Sequence, residues 1–168
     1  MDLYILRHGI AVERGTPGFE QDFDRPLTPE GEQKLRRITK TIRQLGLSFD
    51  LIISSPYIRA RETAEIVANA LSLQKQLEFR DTLGADGSPP ELIAELAKIK
   101  PEPGSLLLVG HEPSLSTIIT LLTSGSAQPF LTLKKAGLCK ISVDALRVGR
   151  CAKLDWLLTP KQMLLMGS

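Results

Sequence analysis

Apolar positions along this chain gather in short runs, then spread out at helical spacing, and the alternation repeats. Leu3-Tyr4-Ile5-Leu6 is a compact apolar run stopping at Arg7-His8-Gly9, the pattern of a buried strand that ends in a polar loop. Residues 13–26 are rich in Gly, Pro, Asp and Glu and read as a loop. Thr28-Pro29-Glu30 has the order of a helix start: a capping hydroxyl, a first-turn proline and an acid at the positive end of the dipole. Leu35, Ile38, Ile42 and Leu45 follow at helical spacing, and Gly46 supplies the stop.

The motif then recurs. Asp50-Leu51-Ile52-Ile53 predicts a second buried strand, with Ser55 as the cap and Pro56 in the first turn of a helix running towards Leu71, its Ile66, Val67 and Ala70 facing inward. A third helix is predicted after Ser88-Pro89-Pro90, with Leu92, Ile93 and Leu96 as its stripe and Pro101 and Pro103 beyond it as breakers. Ser105 to Val109 reads as a third strand stopping at Gly110-His111-Glu112-Pro113. A fourth helix follows, with Leu115, Ile118, Ile119 and Leu122 inward. After Gly125 the pattern changes: Phe130 to Val143 and Cys151 to Leu158 are strand-like, joined by a turn near Asp144 to Gly149. A hairpin centred near Ala145 sets Cys139 opposite Cys151. The sum is an α/β three-layer sandwich: a mostly parallel central sheet, helices on both faces and a C-terminal antiparallel edge hairpin. No internal repeat or low-complexity tract interrupts it, so one domain over residues 1–168 is expected.

Composition narrows the function. At 168 residues, 42% hydrophobic and 24% charged, the chain is long enough to bury a core without disulfides. Its 21 basic and 19 acidic side chains balance too evenly for a nucleic-acid footprint. No apolar run approaches the ~20 residues of a membrane span, and charge at Asp2 and Arg7 leaves no signal-peptide core; a cytoplasmic protein is expected. Cys139 and Cys151 lack CxxC spacing and read as packing thiols. With two Cys and two His, neither a metal nor another cofactor is expected. Lys34, Arg36, Arg37, Lys40 and Arg43 read as a solvated helix face rather than a docking surface for an acidic partner.

In a parallel α/β sheet the strand-to-helix loops emerge at one edge, where such folds bind ligands. Three loops bring Arg7-His8-Gly9, Ser54-Ser55-Pro56 with Arg59 a turn later, and Gly110-His111 to that edge, so both histidines of the chain meet there. Guanidinium forks and helix N-termini suit a tetrahedral dianion. There is no GxxxxGK[ST], no GxGxxG after the first strand and no CxxxxxR loop, which leaves histidine itself as the nucleophile for phosphoryl transfer.

Leu6-Arg7-His8-Gly9, Ser55-Pro56-Tyr57-Ile58-Arg59-Ala60-Arg61-Glu62-Thr63-Ala64 and Val109-Gly110-His111-Glu112-Pro113 together resemble the three signatures of the histidine phosphatase superfamily, over residues 1 to about 122. The short chain, the Arg25-Pro26-Leu27-Thr28-Pro29-Glu30-Gly31 segment and the lack of a long insertion after Arg59 make it most similar to the small SixA-type phosphohistidine phosphatases. The resemblance implies a phosphoglycerate mutase-like fold in which His8 attacks phosphorus and becomes phosphorylated. It further implies that Arg7, Arg59 and His111, an imidazolium in this reading, hold the phosphoryl oxygens and that no cofactor is needed. Arg25 either lines the mouth and helps bind substrate or is a solvated loop arginine.

Many members of that superfamily use a carboxylic acid between the second and third motifs as proton donor. Asp81, Asp86 and Glu91 lie in that interval and Glu112 adjoins His111; Asp86 and Glu112 are carried forward, though none sits in a recognisable pattern. A missing acid matters for an alkoxide leaving group and little for an imidazole protonated on its free nitrogen, which favours a P–N substrate. A small enzyme without a lid insertion is expected to leave its pocket open and shallow. The expected partner is therefore a phosphohistidine-containing protein, which the resemblance alone implies to be a histidine phosphotransfer domain or phosphotransferase-system component. The alternatives are a small-molecule phosphomonoester phosphatase of the same superfamily and a non-catalytic phosphate-sensing module.

Overall fold

A computed structural model describes residues 1–167. Six strands form one sheet: β1 (Asp2–Arg7), β2 (Leu51–Ser54), β3 (Leu77–Phe79), β4 (Ser105–Gly110), β5 (Leu138–Val143) and β6 (Ala152–Leu158), in the order β3-β2-β4-β1-β5-β6. The first four run parallel, and β5 pairs antiparallel with both β1 and β6. Helices are α1 (Pro29–Gln44), α2 (Ile58–Leu71), α3 (Pro89–Leu96), α4 (Ser114–Ser124) and α5 (Pro160–Met166).

The period-two alternation of the central strands separates two cores. Leu3 and Ile5 of β1 and Leu106 and Leu108 of β4 pack with Leu92 and Ile93 of α3 and with Leu115 and Ile119 of α4. Tyr4, Leu6, Leu107 and Val109 point the other way, towards Leu35 and Ile38 of α1, Val67 of α2 and Met163 of α5. Near-continuous apolar strands are thus the mark of a parallel sheet covered on both faces. Among the described residues, no helix is long and apolar enough to cross a membrane.

Local signals acted as expected at α1, where Thr28 accepts from Gly31 N at 3.0 Å and Pro29 opens the helix. At its end Gly46 (φ +68°) turns left-handed, and Gly46 N and Leu47 N donate to Arg43 O and Ile42 O. Several expectations need correction. Leu45, expected inward, is the exposed C-cap residue, because the helix has ended before the stripe returns to the core. α2 starts at Ile58 rather than at Pro56, and Ser55 precedes it as part of the site described below. Its buried face is Ala60, Ala64, Val67 and Ala68, while Ile66 and Ala70 lie half-exposed at its flank. The strand expected from Phe130 begins only at Leu138, since residues 130–137 wrap the end of β1. The hairpin pairs Val143 with Ala152 and carries a bulge at Lys140/Ile141, so Cys139 faces Leu157 and not Cys151; both are buried free thiols. Burial pushes the Cys139 thiol up to about 12, leaving it inert.

Two elements escaped the pattern. β3 is three residues long with two exposed side chains, too short to show a period. α5 follows a capping box between Thr159 and Gln162 and seats Met163 against α1, where Thr41 Oγ1 donates to Met163 O at 2.5 Å.

Candidate active site

Strand register assembles the site. Arg7 pairs with Gly110 and Ser54 with Val109, so the residues just past three strand ends, His8, Ser55 and His111, stand at one level. Backbone bonds continue the ladder beyond the strands, from His8 N to Gly110 O at 3.1 Å and from Ser55 N to Val109 O at 2.9 Å. His8 and His111 rings lie 5.1 Å apart.

His8 is 5% exposed. Its Nδ1 meets Gly9 O at 2.8 Å, which fixes the proton on Nδ1 and leaves Nε2 unprotonated, its lone pair facing Arg59 Nε. Burial pushes its pKa down to about 2, with the charges of His111, Arg59 and Arg7 acting in the same direction, so the imidazole is neutral at physiological pH. Gly9 is in turn held by its N–H, which donates to Thr63 Oγ1 at 3.1 Å, while that hydroxyl donates to Arg59 O at 2.7 Å. One α2 threonine thereby ties the His8 loop to the turn that carries Arg59.

Arg59 is 2% exposed, and each of its three guanidinium nitrogens donates once. Nε donates to His8 Nε2 at 3.4 Å, Nη1 to Asp22 O at 2.6 Å and Nη2 to Asp22 Oδ2 at 2.8 Å. Arg7 donates through Nη1 to Leu133 O at 2.7 Å, and its buried Nε has no partner among the described residues. Ser55 Oγ accepts from Tyr57 N at 3.2 Å and lies 2.8 Å from His111 Nε2, and we assign its proton to that nitrogen, the one acceptor within its reach among the described hydrogen bonds. His111 Nδ1–H is then a second buried donor without a partner. Burial, followed by the charge of Arg59, pushes His111 down to about 3; it is a neutral donor here, not the imidazolium expected from the sequence.

The remaining candidates lie outside this inner ring. Arg25 donates to Val12 O at 2.6 Å and, through Nη2 and Nε, to Asp22 Oδ1 at 2.7 and 3.0 Å, bracing the 12–26 loop from within. Glu112 is no free acid: its carboxylate accepts from Ser116 Oγ at 2.6 Å and Leu133 N at 2.7 Å, fixing the loop whose carbonyl holds Arg7. Asp81, Asp86 and Glu91 are exposed, and Asp86 lies on the rim of a cavity of about 260 Å³ shared with Arg14, Phe19, Arg25 and Tyr57. The basic residues of α1 lie along that helix and take no part. Among the described residues, no three His, Cys, Asp or Glu side chains converge to hold a metal ion.

Sequence reasoning missed Asp22. Desolvation alone would raise its pKa, but hydrogen bonds from Arg25 and Arg59 hold it well below the usual carboxylate range. No spacing rule flags an acid inside a Gly- and Pro-rich loop; only the fold brings it to Arg59. Through it the loop closes over the Arg59 guanidinium. Tyr57 completes the wall, its ring 5.0 Å from those of His111 and Phe23.

The profile of the histidine phosphatase superfamily, branch 1, matches residues 3–83. The chain is 38% identical over 149 residues to an uncharacterised protein of Picosynechococcus sp., covering 88% of each. It is 25% identical over 161 residues to phosphohistidine phosphatase SixA of Escherichia coli K12, covering 95% of this chain and 94% of that one. The solved structure of protein histidine phosphatase SixA complexed with tungstate superposes with a TM-score of 0.81 at 25% identity, over 96% of this chain and 98% of the other.

Proposed function

Since the chain belongs to the histidine phosphatase superfamily and is a phosphatase by that membership, we propose that it hydrolyses phosphohistidine on a partner protein through a phosphorylated His8. One observation carries the reading: a buried neutral histidine with an unprotonated Nε2 is ringed by donors, two of which, Arg7 Nε and His111 Nδ1, are buried without partners. Unpaired buried donors are costly in a folded protein, and phosphoryl oxygens would satisfy both. Arg7, Arg59 and His111 then stabilise charge on the equatorial oxygens, the main demand of phosphoryl transfer.

Proton balance favours a P–N bond. His8 Nε2 donates its lone pair to phosphorus, the P–N bond to the substrate imidazole breaks, and that electron pair returns to a ring already protonated on its other nitrogen. The product is neutral histidine. His8 becomes phosphorylated on Nε2 with its Nδ1 proton retained, and Gly9 O, already bonded to that proton, stabilises the ring as positive charge develops. Water next attacks phosphorus, the P–Nε2 bond breaks, both water protons leave with inorganic phosphate, and His8 is neutral again. Neither step calls for a separate acid; Asp22 and Glu112 are committed as acceptors, and Asp86 stands exposed at the rim beside Tyr57. An alkyl phosphate would need an acid. The same reading takes residues 1–168 as one domain working in the cytoplasm, where phosphohistidine proteins of signalling relays and phosphotransferase systems reside.

The test is phosphoryl trapping. Wild-type protein mixed with a labelled phosphohistidine protein should yield acid-labile, base-stable label on the chain, and His8→Ala should abolish both label and turnover. Label surviving in His8→Ala overturns the nucleophile. Turnover of a phosphomonoester at a rate equal to or above that of phosphohistidine overturns the substrate class.

A further inference from the structure

The group holding Arg59 in the resting protein is itself an anion. Two Arg59 nitrogens donate to Asp22, one to its carboxylate and one to its carbonyl, at 2.8 and 2.6 Å. Arg14 Nε at 2.9 Å and Arg25 Nε and Nη2 at 3.0 and 2.7 Å complete the set on Oδ1. Five guanidinium N–H groups from three arginines on one carboxylate and its carbonyl form the donor array that an oxyanion needs.

Loop construction suits displacement. Its base is pinned: Val12 N donates to Pro26 O at 2.9 Å, Leu27 N to Glu62 Oε2 at 2.7 Å, and Ala11 bridges Leu27. Among the described residues, the tip (16–24) is hydrogen-bonded to the rest of the fold only through Asp22 on Arg59, with Phe23 beside Tyr57 as its one ring contact. Phe23 is 43% exposed, so little apolar burial holds the tip down.

We propose that Asp22 is the resident anion of the phosphoryl pocket, displaced from Arg59 by the substrate's phosphoryl dianion, and that this competition selects dianions over monoanions. The proposal rests on the reading of the His8 pocket as a phosphoryl site. A tetrahedral dianion outcompetes the carboxylate for two reasons: it carries more charge, and its extra oxygens reach Arg7 Nε and His111 Nδ1, which Asp22 leaves unpaired. A monoanion gains less on both counts and leaves Asp22 in place. Release of the tip also uncovers a route to His8 for a side chain borne on another protein. Arg25 and Arg14 keep hold of Asp22 as it leaves, so no carboxylate is stranded.

Tungstate and perrhenate are tetrahedral oxyanions of similar size bearing two and one negative charges, and calorimetric titration with each is the test. Wild type should bind tungstate and discriminate against perrhenate. Asp22→Asn should bind tungstate about tenfold to a hundredfold more tightly, the worth of a charge-assisted hydrogen bond, and should narrow the tungstate-to-perrhenate ratio. Unchanged or weaker tungstate binding by folded Asp22→Asn overturns the proposal. Hydrogen exchange on wild type decides it even where that variant does not fold: amides of residues 19–24 should exchange faster once tungstate binds, and unchanged or slower exchange refutes displacement. Tungstate binding equally to wild type and Arg59→Ala would instead unseat the phosphoryl reading itself.

Discussion

Two regions of the pocket are built by opposite means. At the sheet edge, His8, Ser55 and His111 follow strands whose register is locked by parallel ladders, and their rings and hydroxyls are held by short bonds to backbone or to each other. Opposite them, the 12–26 loop carries Asp22 and its arginines, held over the site by charge pairs. The contrast teaches that position and occupancy are separate problems here. Packing fixes where His8 and His111 stand. Electrostatics decides whether the site is filled by the chain's own carboxylate or by a ligand.

Substitutions should divide along that line. At the sheet edge, His111→Ala removes a donor to the transferring oxygens and should lower kcat by about 10²–10³, the usual loss for one such donor; a steady-state assay showing less than a tenfold loss would place His111 outside the phosphoryl shell. Acid should weaken this same region. Folded pKa values of about 2 and 3 for His8 and His111 against an ordinary 6.5 mean that below pH 6.5 the unfolded chain binds two protons that the folded one refuses. Stability is therefore intact above pH 6.5 and falls as the pH drops below it, by up to about 3 kcal/mol per pH unit while both protons are withheld. Urea melts at pH 7, 6 and 5 measure the slope, and His111→Ala should halve this contribution.

Thr63→Val should cost about 1–3 kcal/mol because Gly9 N is left buried and unpaired. The comparison sharpens if kcat drops too, since Gly9 O sets the His8 tautomer; an unchanged kcat with lowered stability would make Thr63 structural only. On the loop, Arg14 is 76% exposed in its pair with Asp22, and Arg14→Gln should change kcat/KM by less than about threefold. A loss comparable to that of His111→Ala would show the loop to be as fixed as the sheet edge.

Much of the first region was legible in the chain. Apolar runs ending in Arg7-His8-Gly9, Ser54-Ser55 and Gly110-His111 identify strand ends, because a fully buried strand must be continuously apolar and must stop where polar groups begin. The second region was not. Arg25 sat in a recognised segment, yet its bond to Asp22 was not foreseen, because a hydrogen bond between loop side chains leaves no periodic trace. Glu112 drew notice for standing beside His111. Its carboxylate instead serves Ser116 and Leu133, a distinction that depends on which way one side chain turns. The hairpin shows the same limit at the backbone level: alternation marks β5 and β6, but a bulge and the turn length set the register that separates Cys139 from Cys151.

By itself, the sequence determined the sandwich of strands and helices and the meeting of both histidines and two arginines at one edge, since burial and helix capping are local or periodic demands written residue by residue. Only the tertiary structure decided the charge state of those histidines, the two donors left unpaired beside them and the carboxylate lying on Arg59. Each depends on desolvation and on contacts between segments far apart in the chain, such as Asp22 and Arg59, and those exist only once the chain has folded.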